Sequence, residues 1–302
     1  MAMTPDELID TSMMLIVHSG DARAAAFHAL QEAKAGNYEE AKKLMTESQE
    51  KALEAHHIQT GLLTDEGRKA TWIIEVKCEK KPEAQLLGSA IGMKVMEEVP
   101  YIKGLDKWLG TELTDGVCAY LKDFGAATAS NGSVGLYHIE NLTPEAKEHG
   151  EALIKEGAQV YVIDDAELER VKASYPIIWK NKDAKPELCF VGCPHMSVQQ
   201  LKDWTDAIEE KLRANGLSKV TVPTVFTAAP AVIKALKGTV YLDKLATYGV
   251  VVSYICPLMY MNNPLCKKKA VITCSNKLRT YTSARYYTEA EILDIITGKE
   301  GK

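Results

Sequence analysis

The spacing of apolar residues changes once along the chain. In residues 1–64, Leu8, Met14, Leu15, Ala22, Ala26, Ala29, Leu30 and Ala33 recur at the helical period, with no strand-like run among them. The pattern predicts one long amphipathic helix ending at Gly36-Asn37, where glycine can take the left-handed conformation that closes a helix. A second helix is expected from about Tyr38 to Leu62, with Ala41, Leu44, Met45, Ser48, Ala52, Leu53 and Ala55 on its apolar side. Together they make an antiparallel hairpin. Two helices alone bury too little apolar surface, so the hairpin must pack on the rest of the chain or on other copies of itself.

From residue 71 onward, short apolar runs alternate with helix-period segments. The runs are Trp72–Val76, Ser133–Ile139, Gln159–Ile163, Leu188–Gly192, Val220–Phe226, Gly249–Ile255 and Ala270–Thr273. The helical segments are Pro82–Glu98, Asp115–Asn131, Pro144–Glu156, Ala166–Ser174, Val198–Asn215, Pro230–Leu236 with Leu242–Tyr248, and a closing Thr288–Thr297. Strands alternating with helices of this length predict β-α-β units. The expected fold class is therefore α/β: a mainly parallel sheet with flanking helices, preceded by an N-terminal antiparallel helical hairpin.

Composition narrows the function classes. The 302 residues carry a net charge of −5, with 46% apolar and 25% charged residues, which excludes wholesale disorder. That balance argues against a nucleic-acid or membrane-surface binder. No apolar run approaches the ~20 residues of a membrane helix, so no membrane insertion is expected. The acidic start, Met1-Ala2-Met3-Thr4-Pro5-Asp6-Glu7, lacks the basic region of a secretory signal, and a cytoplasmic location is expected. The seven cysteines are then reduced thiols, and no C-x-x-C pair occurs. They leave room for packed thiols or an iron–sulfur site.

Ligands of open parallel sheets bind at the carboxyl ends of strands, so the segment after each strand is where chemistry is expected. After Leu188–Val191 comes Gly192-Cys193-Pro194-His195-Met196-Ser197, and Ser197 with Gln200 fits a capping box opening the next helix. Cys193 and His195 are thus expected in a strand-to-helix turn, beside free helix N–H groups that suit an anion. A proline-stiffened loop with a buried thiol fits the same residues. Cys256-Pro257 puts a thiol at another strand end, as a metal or cluster ligand or as a small buried apolar group. Cys274-Ser275-Asn276-Lys277, with Arg279, suits a carboxylate or phosphate, or is a solvated turn. His138, in an apolar strand, reads as a core histidine. His56 and His57 have no partner at metal spacing and read as surface or packing residues. No G-x-x-x-x-G-K-[ST], G-x-G-x-x-G, G-x-S-x-G or H-E-x-x-H occurs.

Four strings carry a family resemblance: Asp65-Glu66-Gly67-Arg68-Lys69-Ala70-Thr71, Gly132-Ser133-Val134-Gly135-Leu136-Tyr137-His138, Gly192-Cys193-Pro194-His195-Met196-Ser197 and Thr273-Cys274-Ser275-Asn276-Lys277. On these, residues 65–302 resemble the large subunit, or catalytic domain, of the aconitase X family. The resemblance implies a hydro-lyase that dehydrates a small hydroxy acid, such as cis-3-hydroxyproline or phosphomevalonate. It implies an iron–sulfur cluster acting as Lewis acid and a small swivelling subunit as partner. It also implies site roles. Cys256 matches a thiolate expected at the cluster. Cys193, His195 and Ser197 match the signature turn, with Cys193 a second metal ligand. Ser275, Asn276 and Lys277 match a substrate-binding turn, and Asp65, Glu66 and Arg68 an active-site string. Two departures stand out. The family's long N-terminal region, which supplies further cluster cysteines, has no counterpart here, and Thr273-Cys274-Ser275-Asn276 replaces the usual Thr-Asn-Ser-Gly.

Residues 1–64 resemble the lactose/cellobiose-specific IIA component of the sugar phosphotransferase system. The strings are His18-Ser19-Gly20-Asp21-Ala22-Arg23, Ala33-Lys34-Ala35-Gly36-Asn37-Tyr38 and Glu54-Ala55-His56-His57-Ile58-Gln59-Thr60. The resemblance covers the first two helices of that family's three. Its phosphorylated histidine lies on the third, in a V-H-A-Q-D-H string absent here, and His56 and His57 match the second. The two resemblances meet at Leu62-Leu63-Thr64-Asp65-Glu66 without a Gly, Ser or Pro spacer, which points to a truncating recombination or a joined sequence. Three functional readings follow: an aconitase X-type hydro-lyase, either active or inactivated by truncation, a sugar phosphotransferase component, and a catalytically silent α/β module.

Overall fold

The computed structural model describes residues 5–62 and 67–298. The chain divides into two compact units, Met1–Lys69 and Ala70–Lys302.

The first unit is a helical hairpin of α1 (Pro5–Lys34) and α2 (Tyr38–Leu62). Gly36, at φ +87°, makes the expected break, and the amide of Asn37 bonds back to the carbonyl of Glu32 at 2.9 Å. The seam is narrow and alanine-rich: Ala22, Ala25 and Ala29 of α1 meet Ala41 and Ala55 of α2. The Ser48 hydroxyl donates to the Ala22 carbonyl at 2.8 Å. Small side chains let the helix axes approach, so the larger apolar residues fall on the flanks. Met14 and Leu30, expected inside, are more than half exposed, and Met45 and Leu53 are also exposed.

The second unit holds two sheets where the sequence suggested one. Its first half runs β1 (Ala70–Val76), α3 (Ala84–Val95), β2 (Pro100–Lys103), α4 (Asp106–Leu109), α5 (Asp115–Gly132), β3 (His138–Ile139), α6 (Pro144–His149), β4 (Ile154–Ile163) and α7 (Asp165–Ala173). Its second half runs β5 (Leu188–Met196), α8 (Val198–Ala214), β6 (Thr224–Ala228), α9 (Pro230–Leu236), α10 (Val240–Thr247), β7 (Val250–Ser253), α11 (Pro257–Met261), β8 (Val271–Thr273), α12 (Asn276–Tyr281), β9 (Arg285–Tyr286) and α13 (Glu289–Ile296). The strand orders are β3-β2-β1-β4 and β7-β6-β5-β8-β9, and every pairing is parallel.

Helices on both faces explain why most of these strands read as continuous apolar runs. β8 is buried throughout, and Leu201, Trp204, Ile208 and Leu212 turn one face of α8 onto the second core. α3 and α5 pack closely on each other: a Cβ on Gly92 would lie 2.6 Å from the Thr128 carbonyl oxygen.

Several boundaries differ from the sequence reading. Of Ser133–Ile139 only His138–Ile139 is strand, because Ser133, at φ +58°, closes α5 in the left-handed conformation. The helix expected over Pro144–Glu156 stops at His149, turns through Gly150–Leu153, and leaves Ile154 to begin β4. β2, β9, α4, α11 and α12 are too short to show a period. No described helix is long and apolar enough to cross a membrane.

Candidate functional site

In the second sheet the winding reverses at β5: β6 and β7 lie on one side, β8 and β9 on the other. The crevice between β5 and β8 is thus a topological switch point, where open parallel sheets bind their ligands. Two of the expected turns, Gly192–Ser197 and Cys274–Lys277, leave the sheet there.

β5 runs further than the sequence suggested. After Val191 its register breaks, and it pairs again at Met196 with Ala228. Cys193 and His195 therefore sit on this irregular strand end, not in a free turn, and the Cys193–Pro194 peptide is cis. Gly192 is required: its φ is +103°, and a Cβ would lie 2.4 Å from the Thr227 carbonyl oxygen. Thr227 Oγ1 donates to the Gly192 carbonyl at 2.5 Å. The capping box is present as expected, with Ser197 Oγ accepting from the Gln200 amide at 3.1 Å and Gln200 Oε1 accepting from the Ser197 amide at 2.9 Å.

Ser275 caps α12 by accepting from the Leu278 amide at 3.2 Å, and its hydroxyl donates to the Cys193 carbonyl. Gln85 of α3, unremarked in the sequence, ties both turns together. Its Nε2 donates to the Cys193 carbonyl at 3.4 Å, and its Oε1 accepts from the Asn276 amide at 3.0 Å. Asn276 is wholly buried. Its Oδ1 accepts from Arg279 at 2.6 Å and its Nδ2 reaches Ser130 Oγ at 3.4 Å. Arg279 also donates to Asn131 Oδ1 at 2.8 Å and lies over the Tyr175 ring, 3.9 Å from its centroid. Asn276 thus serves as a joint between helices, its amide already committed.

A second network holds the other flank. Lys122 Nζ donates to the His195 carbonyl at 2.5 Å and to Gln200 Oε1 at 3.0 Å, and lies 3.1 Å from Asp123 Oδ1. Gln200 Nε2 donates to Asp123 Oδ2 at 2.6 Å. Burial, then the nearby Lys122 charge, lowers the pKa of half-buried His195. Burial raises that of Asp123, with Lys122 opposing.

Cys193 is 6% exposed, and burial raises its thiol pKa. The Ser275 hydrogen bond and Lys277 oppose that rise, and a charge on Cys256 adds to it. Cys193, Cys256 and Lys277 are therefore electrostatic neighbours, brought from the ends of β5, β7 and β8. Cys256 is exposed at the start of α11, and Lys277 is half-buried. Arg68 lies in the turn before β1, within the first unit, and Asp65 and Glu66 lie outside the described residues.

A cavity of about 20 Å³ beside Cys193, Pro194, Cys274 and Ser275 has room for one water. Next to it opens a cleft of about 330 Å³ walled by Glu83, Gln85, Tyr120, Asp123, Asp203 and Glu289. None of Cys193, His195, Ser275, Lys277 or Cys256 lines this cleft. Burial, with neighbouring carboxylates adding to it, lifts the carboxyls of Glu83 and Glu289 to about 7.

An iron–sulfur cluster usually takes three or four thiolates. All seven cysteines are free; the two expected as cluster ligands are Cys193, buried, and Cys256, exposed, and buried Cys274 lines the small cavity with Cys193. Among the described residues, no group of three Cys, His, Asp or Glu side chains could hold a metal ion. The ligand set for the expected cluster is therefore incomplete in the described residues.

Comparison with known proteins agrees with this layout. Residues 70–173 match the family model of the aconitase X second domain, and residues 186–295 that of the third domain. Residues 10–76 match the lactose/cellobiose-specific IIA subunit of the phosphotransferase system. The last seven of these form β1, the first strand of the α/β unit. The phosphomevalonate dehydratase large subunit of Thermococcus kodakarensis is 33% identical over 191 residues, 63% of this chain and 44% of that protein. A cis-3-hydroxy-L-proline dehydratase of Hypocrea jecorina is 30% identical over 149 residues, 47% of this chain and 24% of that protein. The cellobiose-specific EIIA component of Lactococcus lactis is 41% identical over 71 residues, 23% of this chain and 61% of that protein. The crystal structure of Thermococcus kodakaraensis aconitase X in its holo-form superposes with a TM-score of 0.60 at 28% identity, covering 80% of this chain and 57% of that one. The chain thus spans about half, or less, of the length of the aconitase X and dehydratase chains it matches. Through residues 70–173 and 186–295 it belongs to the aconitase X family, of which it carries the second and third domains.

Proposed function

We propose that the second unit binds the substrate of an aconitase X-type dehydratase, a small hydroxy acid such as cis-3-hydroxyproline or phosphomevalonate. The observation that carries this reading is the joining of the signature turn and the Cys274–Lys277 turn at the switch point of the second sheet, where Ser275 holds the Cys193 carbonyl. Lys277, half-buried at the start of α12, holds the substrate carboxylate. His195 and Ser197 stand on the β5 side, where the proton α to the carboxylate is taken as the hydroxyl leaves as water. Ser275 holds the Cys193 carbonyl and so shapes the site. Cys193 and Cys256 are the two thiols offered to an iron–sulfur centre, whose ligand set is incomplete among the described residues. Dehydration then needs further ligands and the small swivelling subunit. Seven free thiols suit a cytoplasmic setting. The phosphotransferase reading has no support beyond the resemblance of the first unit.

Calorimetric titration of the chain with each hydroxy acid, under anaerobic conditions, tests this. One acid is expected to bind, Lys277→Ala to weaken it at least tenfold, and no unsaturated product to form. Failure of both acids to bind, or turnover by the chain alone, would sink the reading.

A further inference from the structure

The strands that end at the candidate site begin at a second one. Glu187 and Ala270 stand at the starts of β5 and β8 and pair there: the Glu187 amide donates to the Ala270 carbonyl at 2.9 Å, and Ala270 donates to Glu187 Oε2 at 2.8 Å. Around this pair opens a cleft of about 570 Å³, within the roughly 300–1,000 Å³ of small-molecule sites. Ile178, Trp179, Ala184 and Ala270 give it apolar walls. Its charge comes from Lys180 on one segment and from Lys267, Lys268 and Lys269 on another.

These lysines differ from those that are ion-paired elsewhere in the chain. Lys42, Lys43, Lys77, Lys147, Lys172, Lys211 and Lys244 each lie against a Glu or Asp. The ammonium groups of the four cleft lysines make no hydrogen bond or ion pair among the described residues. Glu187 is the one carboxylate in the lining, and its Oε2 is engaged by Ala270. In a chain of net charge −5, four uncompensated cations around one cleft form a local positive field. The walls are themselves anchored: Trp179 Nε1 donates to the Ser283 carbonyl at 3.0 Å, and Arg285 donates to the Lys182 carbonyl at 3.2 Å while lying over the Trp179 ring.

We propose that this cleft is a binding site for a phosphorylated small molecule with an apolar or ring body, of nucleotide size. Lysines serve the phosphates as point charges, and Ile178, 60% exposed, covers the body. A macromolecular anion would use the rim charges without needing the apolar walls, so the small molecule is the better fit. The site lies at the opposite ends of β5 and β8 from Cys193 and Ser275, and the proposal is independent of the dehydratase reading.

Calorimetric titration of the full chain with ATP, tripolyphosphate and a polyglutamate peptide tests it. ATP is expected to bind at one site per chain. The triple variant Lys267→Gln, Lys268→Gln, Lys269→Gln should weaken it at least tenfold, whereas Lys42→Gln with Lys43→Gln should not. Ile178→Ser should weaken ATP more than tripolyphosphate, and Lys277→Ala should leave ATP binding intact. Absence of ATP binding, an unchanged affinity in the triple variant, or tighter binding of polyglutamate than of ATP would overturn the proposal.

Discussion

The Ser275 hydroxyl donates to the carbonyl oxygen of Cys193 while accepting the amide of Leu278, so one oxygen caps α12 and fixes the end of β5. Replacing it by alanine removes a cap and leaves the buried Cys193 carbonyl with the longer Gln85 bond alone. Ser275→Ala is expected to cost about 1–3 kcal/mol in urea unfolding. An unchanged midpoint would show that the two turns are held by packing instead.

The stacked, hydrogen-bonded Arg279 cannot be replaced by another cation. Lysine keeps the charge but loses the planar fork that reaches Asn276 and Asn131 together. Arg279→Lys should therefore destabilise by roughly 1–3 kcal/mol, close to the effect of Arg279→Met. Stability equal to wild type in the lysine variant would contradict the geometry.

Stability should fall with rising pH because of Glu83. Its carboxyl is held at about 7 by burial, opposed by the Glu289 amide and the Tyr286 hydroxyl. The folded chain therefore holds more protons than the unfolded chain between about pH 4.5 and 7. The stability this proton confers is present at low pH and lost as pH rises through 7. Glu83→Gln removes the titration, so its effect on stability should be more favourable at pH 8 than at pH 5, by roughly 1–2 kcal/mol. Equal effects at both pH values would show that Glu83 is not raised.

Thiol reactivity should separate the two site cysteines. Cys256 is exposed, whereas Cys193 is 6% exposed with a raised pKa. Cys256→Ser should remove one rapidly reacting thiol in a dithiobis-nitrobenzoate assay of the folded chain, and Cys193→Ser none. Rapid loss from both would mean that the end of β5 is open.

The hairpin exposes Met13, Ile16, Val17, Phe27 and Leu30 along α1. Contiguous apolar surface of this kind favours self-association. Sedimentation of the full chain should show oligomers that Ile16→Glu with Phe27→Glu reduces; a wild-type monomer at high micromolar concentration would exclude this.

Elements whose apolar period spans several turns or a whole covered strand were legible in the sequence: α2, α5, α8, β1 and the Ser197–Gln200 capping box. The split into two sheets was not, because parallel strands buried on both faces look alike whichever sheet they join. The edge strands β3 and β9, two residues each, carry too little pattern to read. In the site, Ser275 and Cys193 were visible as strand-end residues. Gln85, Lys122 and Asn131, which bond to Cys193, His195 and Arg279 respectively, lie on helices of the other half, and only folding brings them there. The bonds of Asn276 to Arg279 and Ser130 were not legible, because a polar residue after a strand has the same signature whatever it meets in the fold.

The second and third aconitase X domains of this chain offer, in the function proposed above, two of the thiols an iron–sulfur centre takes. Iron and acid-labile sulfide, measured per chain after anaerobic reconstitution and desalting, test this most directly. The account predicts well under one cluster per chain, with Cys256→Ser abolishing what is bound. A full, stable cluster per chain, unaffected by loss of Cys256, would contradict it.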